Sequence, residues 1–125
     1  MSKESTDQPQ TLTRAALLRT RQREMREVQT PDGVAYVAAL TESELAVWEA
    51  RPLEPDGKIN QQRAAQQQAA LIVATLCDDK GVRMLNDSDI DSLMNVPAVI
   101  TREIYDAAVD VNGLRKRQKS NAEKK

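Results

Sequence analysis

The sequence predicts a small α+β domain, mostly helical, with one or two short β-hairpins. Three observations lead there. Thr30-Pro31-Asp32-Gly33 is a turn signal ahead of the strand-like run Val34–Ala38. Thr41-Glu42-Ser43-Glu44 carries the pattern of a helix capping box. Apolar residues then recur at helical spacing across 60–76 and again across 97–114.

Size and composition set the frame for these elements. The chain has 125 residues, enough for one domain and a modest core. It contains no Phe, one Trp and two Tyr, so Ala, Leu, Val, Ile and Met must do the packing. The expected organisation is a disordered lead over 1–11, a single domain over 12–114 and a basic flexible tail over 115–125.

Taken in order, Leu12, Ala15, Ala16, Leu17 and Leu18 allow a turn or two of helix capped by Thr11 or Thr13. Met25 and Val28 lie in the first arm of the hairpin. In the second arm, Val34, Tyr36 and Ala38 point to one face and Ala35 and Val37 to the other. The helix after Thr41 is fixed by its box and by a staple between Leu40 and Leu45, and Arg51-Pro52 ends it. Residues 53–57 form a loop. Asn60–Leu76 reads as one helix, with Ala65, Ala69, Ile72 and Leu76 on its apolar face, set against a Gln-rich disordered linker over 58–68. A second tight hairpin is expected around Asp78-Asp79-Lys80-Gly81. Asn86 or Asp87 then caps a short acidic helix with Ile90, Leu93 and Met94 on one side. The last helix opens at Val96-Pro97, carries the stripe Ile100, Ile104, Ala107, Val111, Leu114, and stops at Asn112-Gly113.

Several chemistries are disfavoured. His is absent, which removes the commonest general base and metal ligand. Cys77 is the single cysteine, so no intrachain disulfide forms and a zinc site lacks ligands; it reads as a small buried hydrophobe. Aligning Gly81 with the glycine of a calcium loop puts Leu76 and Cys77 where oxygen ligands belong. No glycine-rich phosphate motif occurs. The carboxylates between 78 and 110 fall mostly at caps and on solvent faces. No cofactor, no metal and no catalytic residue is therefore expected.

Net charge is −1, which does not single out a nucleic-acid partner. Arg14, Arg19, Arg21, Arg23 and Arg26 nonetheless cluster, and the tail from Arg115 is basic. The apolar run Ala69–Leu76 is too short to span a bilayer, and Met1–Gln10 lacks the apolar segment of a secretory signal. No membrane role is expected.

The order of segments carries a resemblance. Val34–Thr41 leads into Glu44-Leu45 and Trp48-Glu49; Ala70–Gly81 runs an apolar helix into an Asp-rich turn. Met84–Ile90 follows, and Asp106–Leu114 closes on Asn112-Gly113-Leu114. This pattern, over roughly 12–114, resembles the tail assembly chaperones of long-tailed bacteriophages. The Gln-rich stretch 58–68 departs from it in length and polarity. The resemblance implies a protein without chemistry that binds the phage tape measure protein in the bacterial host cytoplasm, with the tail tube protein as a second candidate partner. It implies absence from the mature virion and leaves a homo-oligomer open. Trp48, Leu93, Met94, Ile104, Val111 and Leu114 are the candidate partner contacts, set against the alternative that each is core. Three rival classes remain. They are a nucleic-acid-binding regulator using 14–26 and the basic tail, an enzyme working with carboxylates alone, and a structural virion subunit.

Overall fold

The computed structural model describes residues 10–114. The expected lead lies outside them except for its last two residues, and the expected tail over 115–125 lies outside entirely.

Thr13 caps α1 (Arg14–Leu18), its hydroxyl accepting from the Ala16 amide at 3.1 Å. The hairpin follows as β1 (Met25–Thr30) and β2 (Gly33–Ala38), joined through Pro31-Asp32, with Thr30 opposite Gly33. Gly33 takes φ 141°, a value open to glycine and costly for other residues. Helix α2 (Glu42–Ala50) begins at the expected box: the Thr41 hydroxyl accepts from the Glu44 amide, and Glu44 Oε1 accepts from the Thr41 amide at 2.9 Å.

The expected single helix over 60–76 is two helices, α3 (Gln61–Ala65) and α4 (Gln67–Thr75). The break sits at Gln66, with φ −96° and ψ 3°. Its cause comes from elsewhere in the chain. The Arg51 guanidinium donates to the Arg63 carbonyl at 3.1 Å and to Gln66 Oε1 at 3.0 Å, while the Gln66 amide takes the Arg63 carbonyl at 3.1 Å. That carbonyl is thus drawn out of the regular i to i+4 ladder.

Helix α4 is buried almost all round: Ala69, Ala70, Leu71, Ile72, Val73 and Thr75 are all inside. The Thr75 hydroxyl is satisfied by the Leu71 carbonyl at 2.8 Å. The chain then makes a two-residue strand, β3 (Leu76–Cys77), which pairs antiparallel with β2. The turn at 78–81 forms as expected, with Asp78 Oδ1 accepting from the amides of Lys80 and Val82, each at 2.9 Å. It does not close a full second hairpin. Beyond it Cys77 and Arg83 share only one bridge, and the strand's main partner is Tyr36-Val37.

Asn86 caps a short 3₁₀ turn (Asp87–Asp89) that runs into α5 (Ile90–Leu93). Helix α6 (Ala98–Val111) starts after Pro97 and ends at Asn112, with Gly113 at φ 68° in the left-handed cap position. Asn112 also ties distant elements together. Its Oδ1 accepts from the Leu40 amide at 2.7 Å, where β2 leads into α2.

The architecture is α+β: six α-helices and a three-stranded antiparallel sheet of order β1-β2-β3 among the described residues. Cross-strand neighbours share a face, so Val28, Ala35, Val37 and Leu76 point together. That face packs with α4 and α6 into the main core, through Leu71, Ile72, Ile104, Ala108 and Val111. A smaller cluster of Ala69, Ala70, Val73 and Ile90 lies on the other side of α4. The buried stripe of α6 also includes Ala108 and Val109, while Ile100 and Ala107 are only half-buried.

Candidate partner-binding surface

The six predicted contact residues separate by burial. Ile104, Val111 and Leu114 are 7%, 8% and 6% exposed and belong to the main core. α6 and the turn after it bring these residues inward against the sheet and α4, so in this conformation they hold the fold, the alternative to partner contact that the sequence left open. Leu93 and Trp48 are half-buried and touch both core clusters. Met94 is exposed and lines a shallow depression with Leu93, Gln68 and Ala98.

Trp48 borders a second concave surface. A cleft of about 300 Å³ opens between α2 and α4. Glu44, Val47, Trp48 and Arg51 reach it from α2 and its C-cap, spaced i, i+3, i+4, i+7 on one helical face. Ala70 and Ala74, one turn apart on α4, line it too, with Leu40, Arg83 and Asp87 completing the wall.

The indole is held in a fixed pose. Its Nε1 donates to the Gln67 carbonyl at 2.9 Å, and Gln67 Nε2 donates to the Trp48 carbonyl at 2.8 Å. The charged groups around the cleft are partnered within the chain. Arg23 forks onto both Glu44 oxygens at 2.8 and 3.0 Å. Burial pushes the Glu44 carboxyl up, but the Arg23 hydrogen bond and the Thr41 amide outweigh it, and the group sits below its ordinary range. Arg83 donates from Nε to the Val73 carbonyl at 3.0 Å and from Nη2 to Asp87 at 3.3 Å. Arg51 is taken up by Arg63 and Gln66 as described.

Val47 was not among the predicted contacts, yet it is 73% exposed at the cleft mouth. The signal was present: Val47 stands beside Trp48 in the same i+3, i+4 set as Glu44. Leu12, Leu17, Leu18 and Val99 are further exposed apolar residues that the sequence reading left unassigned to a surface.

The arginine cluster is partly spent on the fold. Arg21 donates to the Ala16 and Leu17 carbonyls at the end of α1, Arg23 binds Glu44, and Arg26 lies 3.8 Å from Asp110. Cys77 is buried, and that burial, with the neighbouring Asp78 charge, pushes its thiol pKa up, away from a reactive thiolate. Among the described residues no group of three or more His, Cys, Asp or Glu is placed to hold a metal ion. No helix among them is long and apolar enough to cross a membrane.

No protein-family model and no curated protein matches the sequence. A solved structure, that of the bacteriophage HK97 tail assembly chaperone, does match in fold. The TM-score is 0.54 at 12% identity, over 80% of this chain and 91% of that one. The chain shares that fold. With so few identical residues the likeness concerns the arrangement of helices and sheet, and it assigns no individual side chain a role.

Proposed function

We propose that this chain is a tail assembly chaperone that binds a phage tape measure protein and keeps it soluble until the tail tube polymerises around it. The observation that carries the reading is the fold shared with the HK97 chaperone across nearly all of that protein. A fixed tryptophan beside a shallow cleft is consistent with a binding role.

The physical task is simple to state. A long amphipathic helix exposes an apolar seam, and exposed seams associate with one another. A protein that covers the seam lowers the free-chain population by mass action and so suppresses aggregation. No covalent step is needed. On this reading the chain acts in the host cytoplasm and leaves before the virion is complete, with the tail tube protein as a second candidate partner.

Co-expression tests the proposal. The chain is produced with the long helix-rich protein of the same phage tail cluster, and the soluble fraction of that protein is measured with and without it. A gain in solubility and a recovered complex are expected. A partner that stays insoluble, with nothing co-purifying, overturns the reading.

A further inference from the structure

We propose that Asn112 is a covalent modification site, a deamidation point that the fold keeps closed and that becomes reactive when the end of α6 opens. The site is a property of the fold, whatever partner the chain binds.

The sequence supplies the reactivity. Asn112 is the only asparagine of the chain followed by glycine. Gly113 has no Cβ, so its amide nitrogen is the least shielded from the neighbouring side chain. In the first step that nitrogen gives up its proton and bonds to Asn112 Cγ. The Cγ–Nδ2 bond breaks, and Nδ2 leaves with the proton as ammonia. Water then opens the cyclic imide, its hydroxyl going to one ring carbonyl carbon and its proton to the Gly113 nitrogen. Opening at Cγ gives aspartate. Opening at the main-chain carbonyl carbon gives isoaspartate, with the chain running on through Cγ. Water is the one co-reactant.

The fold withholds this chemistry. The imide ring joins Asn112 Cα, Cβ, Cγ and main-chain carbonyl carbon to the Gly113 nitrogen, so that nitrogen must swing to the Cβ side of the Cα–C bond. Asn112 has ψ 0°, which eclipses the Gly113 nitrogen with the amide nitrogen of Asn112 instead. Each reacting group is also held. Nδ2 donates to the Ala108 carbonyl at 2.9 Å, Oδ1 accepts from the Leu40 amide at 2.7 Å, and the Gly113 amide donates to the Asp110 carbonyl at 3.1 Å. Leu114, 6% exposed in the main core, anchors the backbone that would have to turn. The native reaction rate is therefore set by the population in which the end of α6 has come away.

The product closes less well than the parent. Aspartate at this position loses the Nδ2 donor and sets an oxygen against the Ala108 carbonyl. Its charge stands at the negative end of the α6 dipole. Isoaspartate adds a methylene to the backbone just ahead of Leu114 and moves that side chain from its place in the core. A chain that opens here is marked permanently, and the mark favours the open form.

The full chain is incubated in mildly alkaline buffer, with and without denaturing guanidinium chloride, and digested with trypsin. The 103–115 peptide contains Asn112 and no other asparagine. Conversion is read as its change in mass from amide to acid, and as separation into aspartate and isoaspartate forms. Under denaturant Asn112 should convert before Asn95, whose neighbour Val96 is β-branched. It should convert at least about tenfold faster there than in native buffer. Leu114→Ala empties the anchor's place and should raise the native rate at least about tenfold. Circular dichroism confirms folding, and Leu114→Val replaces Leu114→Ala if the latter is unfolded. Gly113→Ala under denaturant, where folding plays no part, should slow conversion because the new Cβ shields the nitrogen. Equal rates with and without denaturant, or a folded Leu114 variant with the wild-type rate, overturn the gating by α6. An unchanged rate in Gly113→Ala means direct hydrolysis of the side-chain amide and overturns the cyclic route. If Asn112 stays intact under denaturant while Asn95 converts, the site itself is overturned.

Discussion

Trp48 and Gln67 hold each other through two bonds that run in opposite directions, indole N–H to Gln67 carbonyl and Gln67 amide to Trp48 carbonyl. This pair fixes α2 against the start of α4 and thereby sets the wall of the cleft. It also has a flaw. Gln67 Oε1 is buried with no partner among the described residues. Gln67→Leu removes the donor and the orphaned acceptor together, so it should cost no more than about 1 kcal/mol. Gln67→Glu turns the donor into a second oxygen facing the Trp48 carbonyl and should cost about 1–3 kcal/mol. Urea unfolding followed by Trp48 fluorescence checks both. Equal costs for the two variants would show that a second oxygen facing the Trp48 carbonyl carries no penalty beyond the lost donor.

The burial contrast among the predicted contacts gives a second test. Ile104→Ala should lower stability by about 2–5 kcal/mol, because its side chain is enclosed by the sheet and α4. Met94→Ala should stay within about 0.5 kcal/mol, because nearly half of that residue faces water. Chemical denaturation of the two variants provides the comparison. A tolerant Ile104 would mean that α6 does not pack on the core as described.

What the sequence made legible was local. The box from Thr41 to Glu44 spans four residues, the turn at Pro31-Asp32-Gly33 is set by its own backbone preferences, and Asn112-Gly113 stops a helix wherever it stands. What it hid was long-range. Nothing near Gln66 announces a break, because the perturbing guanidinium belongs to Arg51. The pairing of Cys77 with Tyr36 is likewise invisible from either segment alone. On α6, Ala108 and Val109 were passed over because alanine fits either face and the regular four-three stepping already gave a plausible stripe. The cleft was half legible. Trp48 stood out by residue type, but its opposite wall, Ala70 and Ala74, becomes a wall only once α4 is placed.

Acid should reveal the α2 cap. Glu44 is held below its ordinary value of 4.5, so the unfolded chain binds that proton more readily than the folded one. Its contribution is therefore present above pH 4.5 and is lost as pH falls through the lower, folded value. The half-exposed pair with Arg23 limits the contribution to a fraction of about 1 kcal/mol. Glu44→Gln should flatten this part of the stability curve below pH 4.5, and Thr41→Ala should cost about 1 kcal/mol at neutral pH. Asp78, also depressed by backbone amides of Val82 and Lys80, contributes with the same sign, so Asp78→Asn serves as the separate control. An unchanged acid limb in Glu44→Gln would assign the loss to other carboxylates.

Arg51 offers the sharpest test of why α3 and α4 are two helices. Its guanidinium bonds the Arg63 carbonyl and Gln66 Oε1 from outside both helices, while Arg63 returns Nε to the Arg51 carbonyl at 2.7 Å and pairs with Glu54. Arg51→Met keeps the alkyl stem and removes the charge-assisted bonds, so a loss of about 1.5–3 kcal/mol is expected. Gln66→Ala removes one acceptor of the same set. If the two act through their shared bond, the double variant should cost less than the sum, with a coupling of about 0.5 kcal/mol or more. A double-mutant cycle by urea denaturation measures it. Strict additivity would mean that the Arg51–Gln66 bond does not stabilise the break, and that the φ of Gln66 is set by the packing of Ala69 and Ala70 instead.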